Sequence, residues 1–367
     1  MALFPDDQTP VHRRGRRGRR IGWALLILAV IGGVVFANVP APYGIEQPGP
    51  VFNTLGKVSD SGKEVPLIDI PGQKTYATSG SLDMLTVNVL GDPAQSPSWF
   101  EVARAWLDPS MAVVPMDELF PAGETVQQSN EESVLEMQGS QQDAIAAALT
   151  QLGYTVTSTV EVAALTADSP SKGVLKKGDI IVSVNGTTVS SVDRLLSLLA
   201  TSGAGTPADF VIDRGGVKKS VQVTPVMSSG APVIGIEAGS SYDFPFDVKI
   251  QLQDVGGPSA GQMFALGIID KLTPGQLTGG AKVAGTGTID AAGKINVIGG
   301  IRQKLYGARN AGAKWFLAPY GNCNEVTGHI PSGIKVLAVK TLKDSLTALK
   351  AISSGSSTSG LPTCPAK

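Results

Sequence analysis

The chain has 367 residues, too many for one small core and enough for two or three domains. With 42% hydrophobic and 17% charged residues it is not a wholly disordered polyelectrolyte, and its 44 glycines and 24 prolines favour short strands and turns over a helical bundle. The formal charge of −1 offers no global argument for nucleic-acid binding, yet it averages two unlike parts: residues 1–20 carry six arginines against Asp6 and Asp7, or +4, while the other 24 basic and 29 acidic side chains sum to −5.

The basic tail, residues 1–20, ends in RRGRRGRR and runs directly into IGWALLILAVIGGVVFA, seventeen residues without a charge. At 1.5 Å per residue, a helix over 21–39 approaches the roughly 30 Å thickness of a bilayer's hydrocarbon core. Arginines ahead of an apolar span stay on the cytoplasmic side, so the expectation is a single-pass membrane anchor with the body outside the cytoplasm. A cleaved signal peptide is the competing reading, because Val35-Phe36-Ala37 resembles a small-residue cleavage site; either way the body is exported.

Residues 40–139 read as an extended, β-rich extracytoplasmic region, with strands expected at 66–70 and 84–90 between turn signals such as Pro71-Gly72 and Gly91-Asp92-Pro93. Ser140 with Asp143 suggests a helix start, AIAAALTQL continues it, and Gly153 is placed to stop it. Over 140–228 the pattern becomes strand, strand, helix, strand. VEVAAL is followed by IIVSV, an Asn185-Gly186 hairpin signal, a helix near 191–201 with Val192, Leu195, Leu196 and Leu199 at helical spacing, and two strands around Gly215-Gly216. Such an arrangement suits recognition of an extended peptide by strand addition. The segment SPSKGVLKKGDIIVSVNGTTV resembles the centre of PDZ domains of bacterial envelope proteases. The resemblance implies that a peptide lies between the strand carrying Val160, Val162 and Ala164 and the helix carrying Val192 and Leu196; the alternative is a small β-rich domain with an occluded groove.

Residues 232–350 carry the chemistry. Ser259 follows Gly256-Gly257-Pro258 and precedes Ala260-Gly261 and the apolar run MFALGIIDKL. A serine at a helix mouth lies beside unpartnered backbone N–H groups that can hold an oxyanion, although an N-cap after a glycine turn is the commoner role for such a serine. Its hydroxyl needs a base, and the two histidines, His12 and His329, offer little: His12 lies in the arginine-rich tail. Two histidines and two cysteines also make metal and iron–sulfur sites improbable. Lysine serves when burial favours its neutral form. Lys304 is the best candidate, since Ile298, Ile301 and Leu305 surround it in sequence, whereas Lys271, Lys282 and Lys294 sit in polar or turn settings.

GGPSAG, then GTGTIDAAGKINVIGG, then IGGIRQKL 45 residues beyond the serine, together resemble the Ser–Lys dyad domain of Lon-type proteases. The resemblance implies Ser259 as nucleophile and Lys304 as general base, Thr286 as the residue that orients the lysine, Gly257 in the turn, and Asp254 near the family's acidic position, displaced there by one residue. The chain departs from Lon in carrying no G-x-x-x-x-G-K-[ST]. The whole therefore resembles membrane-anchored PDZ–Lon proteases of bacterial envelopes, an α+β multidomain architecture with an N-terminal transmembrane helix, a PDZ-like β-rich domain and a C-terminal Lon-type proteolytic α/β domain. The implied activity is ATP-independent cleavage of unfolded or exposed protein segments, with no cofactor, no metal, no nucleic acid and a possible homo-oligomer. A catalytically silent PDZ adaptor and a self-processing protein are the alternatives. The tail at 351–367 is Ser/Gly-rich and ends near Cys364; outside the cytoplasm a Cys323–Cys364 disulfide would tie it back, the alternative being two unrelated thiols.

Overall fold

A computed structural model describes residues 15–60, 62–121, 125–228, 230–252 and 255–365. The chain divides into two units, one of residues 1–47 and 88–126, the other of 48–87 and 127–367. Most of the basic tail and Asp254 lie outside the described residues.

In the first unit the apolar run lies in α1 (Gly15–Asn38), whose side chains, such as Leu25, Leu28 and Ile31, are exposed. Among the described residues it is the one helix long and apolar enough to cross a membrane, over Arg20–Asn38. Strands β1 (Tyr43–Asn53) and β2 (Ser81–Leu90) carry the chain between the units. Where extended chain was expected there is a helix, α2 (Trp99–Leu107), started by a capping box in which Ser98 and Glu101 satisfy each other's backbone N–H. The start of β1 pairs antiparallel with β3 (Ala112–Pro115), and Ala41, Ile45, Val102 and Ala105 form a small core.

After residues 48–87, the second unit continues in α3 (Val126–Gln151), which starts fourteen residues ahead of the start expected at Ser140. The N-terminal half of this helix is polar and largely exposed, so no apolar period marks it, and Ser140 is a buried mid-helix residue rather than a cap. The stop is as expected: Gly153 has φ +87°, its N–H donates to the Thr150 carbonyl, and that of Tyr154 donates to Leu149.

Next come β4 (Thr157–Leu165), β5 (Ile180–Val184), α4 (Val192–Ser202), β6 (Ala208–Arg214), β7 (Val217–Val223) and β8 (Ile236–Asp243). They form an antiparallel sheet of order β7-β6-β5-β4-β8. Asn185 and Gly186 make the hairpin turn with φ of 49° and 76°. Asp179 is buried and takes two hydrogen bonds from the Arg214 guanidinium, at 2.6 and 2.7 Å, which holds its carboxyl below the usual range. Its backbone carbonyl accepts the Val162 N–H, so the Gly-Asp turn of the motif serves the fold.

The remainder comprises α5 (Gly261–Leu272), β9 (Lys282–Gly285), the hairpin β10 (Thr288–Ile289) and β11 (Ile295–Asn296), α6 (Ile301–Asn310), β12 (Trp315–Pro319), β13 (Lys335–Val339) and α7 (Leu342–Ser353). A parallel sheet runs β13-β12-β9-β2, with Val283 opposite Trp315 on one side and Leu82 on the other. The strand beginning at Ser81 thus joins this sheet, instead of belonging to a separate region over 40–139. Leu67, Ile68, Leu82 and Met84 share a core with Phe264, Leu266 and Ile268 of α5 and Ala144, Ile145 and Ala148 of α3. Every residue of α5 from Gly261 to Asp270 is buried, so the apolar run MFALGII meets packed neighbours on all sides. Cys323 and Cys364 are joined in a disulfide, and the Pro362 carbonyl accepts the Ala338 N–H, holding the C-terminal segment against the sheet.

Candidate active site

Ser259 immediately precedes the first residues of α5. Its loop is held from two directions. On one side, residues 286–288 run beside it: the Ser259 carbonyl accepts the Gly287 N–H at 2.9 Å and the Thr286 hydroxyl at 2.9 Å, while the Gln262 N–H donates to the Gly287 carbonyl at 3.1 Å. On the other side lies α3. The Gly257 N–H donates to the Ser133 carbonyl at 2.8 Å, and the Ser140 hydroxyl donates to the Pro258 carbonyl at 2.8 Å. Gly257, with φ +81°, turns the chain into the serine, and its N–H is consumed by α3 rather than aimed at a substrate.

Lys304 projects from the first turn of α6. Gly300 starts that helix in the left-handed region, φ 65°, and a Cβ there would meet Val87 at 2.6 Å, so the turn requires glycine. Just before it, the buried side chain of Asn322 clamps the backbone of Ile298, accepting its N–H at 3.0 Å and donating to its carbonyl at 2.9 Å. Ile301, Leu305 and Ala308 seat the helix in a core that includes the disulfide cysteines.

The side chains of these segments converge. Lys304 Nζ lies 2.7 Å from Ser259 Oγ and 3.2 Å from Thr286 Oγ1, and Lys304 and Thr286 are only 3% and 1% exposed. Ser259 itself is half-buried and can be reached. A hydroxyl held against a buried amine can pass its proton to that amine while its oxygen attacks a carbonyl carbon, and the Thr286 hydroxyl tethers both partners. Lys271, Lys282 and Lys294 take no part; burial lowers the pKa of Lys271, but it sits beside Asp69 and Asp270 at the far end of α5. Among the described residues no group of acidic, cysteine or histidine side chains is arranged to hold a metal.

Three positioning residues escape the sequence: Ser133 and Ser140 on α3, and Asn322. Ser140 was legible only as a helix cap, and no motif marks the others. Long-range packing joins each to a loop 24 to 124 residues away.

The peptide groove is also placed differently from expectation. Val160 and Val162 are wholly buried, and their strand β4 is paired on both sides, by β5 and β8. Ala164 lies opposite Glu237 of β8. The open edge is β8, and the cavity lies between β8 and α4. It has a volume of about 590 Å³ and is lined by Val192, Leu195, Leu196 and Leu199 with Ile234 and Ile236. Val192 and Leu196 therefore line the groove, while Val160, Val162 and Ala164 stand behind it. The misplaced strand follows from chain order, since the strand that forms the edge comes after the other elements of this sheet.

These two regions correspond to known domain classes. Residues 133–224 match the PDZ domain, and residues 252–351 match the Lon protease (S16) C-terminal proteolytic domain. The chain is similar to the Lon protease of Buchnera aphidicola subsp. Schizaphis graminum, 29% identical over 136 residues, covering 35% of this chain and 17% of that protein. It is also similar to Lon protease 2 of Bacillus subtilis, 35% identical over 111 residues, covering 29% of this chain and 19% of that protein. The chain thus spans less than a fifth of the length of these relatives. Among solved structures, the PDZ domain of the SdrC-like protein from Listeria monocytogenes shares 22% identity with a TM-score of 0.21, covering 22% of this chain and 85% of that one. The chain carries a PDZ domain and a Lon-type proteolytic domain, in that order.

Proposed function

We propose that this protein is a serine endopeptidase working by a Ser259–Lys304 dyad, and the observation that carries the reading is the 2.7 Å contact between a half-buried serine and a buried lysine within a Lon-type domain. Neutral Lys304 takes the Ser259 proton as Oγ attacks the peptide carbonyl carbon. The oxyanion is held by backbone N–H groups at the mouth of α5, before the intrahelical ladder begins. The tetrahedral intermediate collapses, the C–N bond breaks, and the Lys304 ammonium returns its proton to the leaving amine. Water, deprotonated by Lys304, attacks the resulting ester and restores the Ser259 hydroxyl. Thr286 positions both partners.

The substrates are protein segments that are unfolded or exposed, engaged through the PDZ groove and cut without ATP. Helix α1, with the arginines before it, supports a single-pass anchor that leaves the body outside the cytoplasm, and the Cys323–Cys364 disulfide agrees with an oxidising compartment.

The test compares the purified full chain with Ser259→Ala and Lys304→Ala on an unfolded protein substrate. Turnover by the wild type should drop by about 10³-fold or more in each variant, with unchanged circular dichroism. Equal turnover by all three would remove the dyad; wild-type cleavage confined to its own chain would favour self-processing; no cleavage by any would favour an adaptor.

A further inference from the structure

Helix α2 is apolar on two faces. One face carries Val102 and Ala105 into the small core with Ala41 and Ile45. The other carries Phe100, Ala103, Trp106 and Leu107, which at 3.6 residues per turn fall within one arc of about 120°. Trp99 lies in the same arc and is half-covered by Tyr43, whose ring meets it edge-on at 5.9 Å. The rest of the arc is bare: Phe100 is 57%, Trp106 62% and Leu107 87% exposed. Arg104, also exposed, borders it beside Phe100. A surface helix ordinarily hides one apolar stripe and wets the opposite face. Three large apolar side chains on the outer face of so short a helix mark a surface that meets a second partner.

The path of the backbone says which partner. The apolar span of α1 ends at Asn38. Directly after it, residues 39–41 run antiparallel to residues 97–99. The Trp99 N–H donates to the Val39 carbonyl at 3.2 Å, the Ala41 N–H donates to the Pro97 carbonyl at 2.8 Å, and Pro40 and Ser98 form a bridge. Residues 39–41 lead away from the end of α1, so the antiparallel segment 97–99 leads back to it, and α2 continues alongside α1. The first residue of α2 is thus bonded to the first residue beyond the span. The headgroup layer on each side of a bilayer is about 5–8 Å thick, while a helix with its side chains measures about 10–12 Å across. A helix held at that level overlaps the layer whatever its tilt. Aromatic rings and a long cationic side chain are what that layer accepts.

We propose that α2 is a second membrane contact: its Phe100, Ala103, Trp106 and Leu107 face inserts at the headgroup–acyl boundary of the leaflet from which α1 emerges, with Arg104 set to pair with lipid phosphate. The proposal rests on the reading of α1 as a single-pass anchor. It turns that anchor from a tether pivoting at Asn38 into a two-point attachment, which fixes the first unit against the bilayer.

The test reconstitutes the purified full chain in phosphatidylcholine–phosphatidylglycerol vesicles that contain a phosphatidylcholine with a diazirine on its acyl chain close to the glycerol. After irradiation, lipid adducts are mapped by mass spectrometry, and they are expected on residues 21–38 and on residues 100–107. Adducts on 21–38 alone overturn the proposal and keep the anchor. Their absence from 21–38 removes the anchor reading, and the proposal with it. In the double variant Trp106→Glu with Leu107→Glu, adducts over residues 99–105 should fall about tenfold or more while those on 21–38 persist. Both side chains are exposed, so the folded unit loses no buried contact. Unchanged labelling of 99–105 in that variant overturns the proposal. Diluting the protein about tenfold in lipid should leave the wild-type pattern as it is, because each chain makes its own contact. Labelling of 100–107 that rises on dilution assigns the face to a second copy of the chain and also overturns the proposal.

Discussion

The two halves of the functional unit solve opposite problems with the same material. The PDZ portion leaves apolar side chains uncovered, Leu196 among them, along an edge strand whose backbone still has a free side. The protease portion buries polar ones, sealing Lys304, Thr286, Gln262 and Asn322 among aliphatic residues. A groove that must accept many chains needs vacancy and a row of backbone donors, which tolerate sequence variation. A proton transfer instead needs two atoms held at hydrogen-bond distance in a place where water does not compete. The difference teaches where each kind of site stores its precision: in the edge of a sheet for binding, and in packing around loops for catalysis.

Changes to the buried side should accordingly be the more damaging. Lys304→Arg keeps a long basic side chain but supplies a guanidinium that stays protonated and so cannot act as the neutral base. Turnover should fall by about 10³-fold or more, measured as kcat on an unfolded substrate, and recovery at alkaline pH would count against a lysine base. In the wild type kcat should fall on acidification, as the amine gains the proton it must accept. Ser140→Ala comes next. Loss of its bond to the Pro258 carbonyl frees the loop that carries Ser259, and kcat should drop about 10- to 100-fold at nearly constant KM. A matching rise in KM would instead assign Ser140 to substrate binding.

Two further changes act on stability. Cys364→Ser opens the link across 41 residues and should cost roughly 2–4 kcal/mol, seen as a lower urea midpoint that reductant no longer affects. The smallest effect is expected at Asp270, buried near the end of α5. One carboxylate oxygen accepts the Leu277 N–H and the other has no hydrogen-bond partner. Burial raises its pKa, so the folded chain holds this proton to higher pH than the unfolded chain does. The associated stability is complete below the ordinary carboxylate range and is lost as pH rises through the raised value. Asp270→Asn should therefore stabilise the protein by about 1 kcal/mol at neutral pH and change little below pH of about 4. An equal shift at both pH values would point to packing rather than ionisation.

Much was legible in the sequence because it was local. The apolar span, the Asn185-Gly186 hairpin, the helix stop at Gly153 and the serine loop before an apolar helix each depend on a few adjacent residues. Ser259, Lys304 and Thr286 could be named from their motif segments, and the Ser98/Glu101 box that starts α2 was present to be read. The start of α3 was not, because a polar helix face that meets solvent carries no apolar period.

The amino-acid sequence by itself determined which groups the chain can bring to chemistry: with two histidines, one in the basic tail, the base for Ser259 had to be sought among its lysines. Only the tertiary structure decided how those groups meet. Residues 48–87 lend a strand to the protease sheet, α3 props the serine loop through Ser133 and Ser140, Asn322 steadies the lysine helix, and β8 displaces β4 from the groove. Each of these is a contact between segments far apart in the chain, where packing and hydrogen-bond satisfaction, rather than local propensity, select the partner.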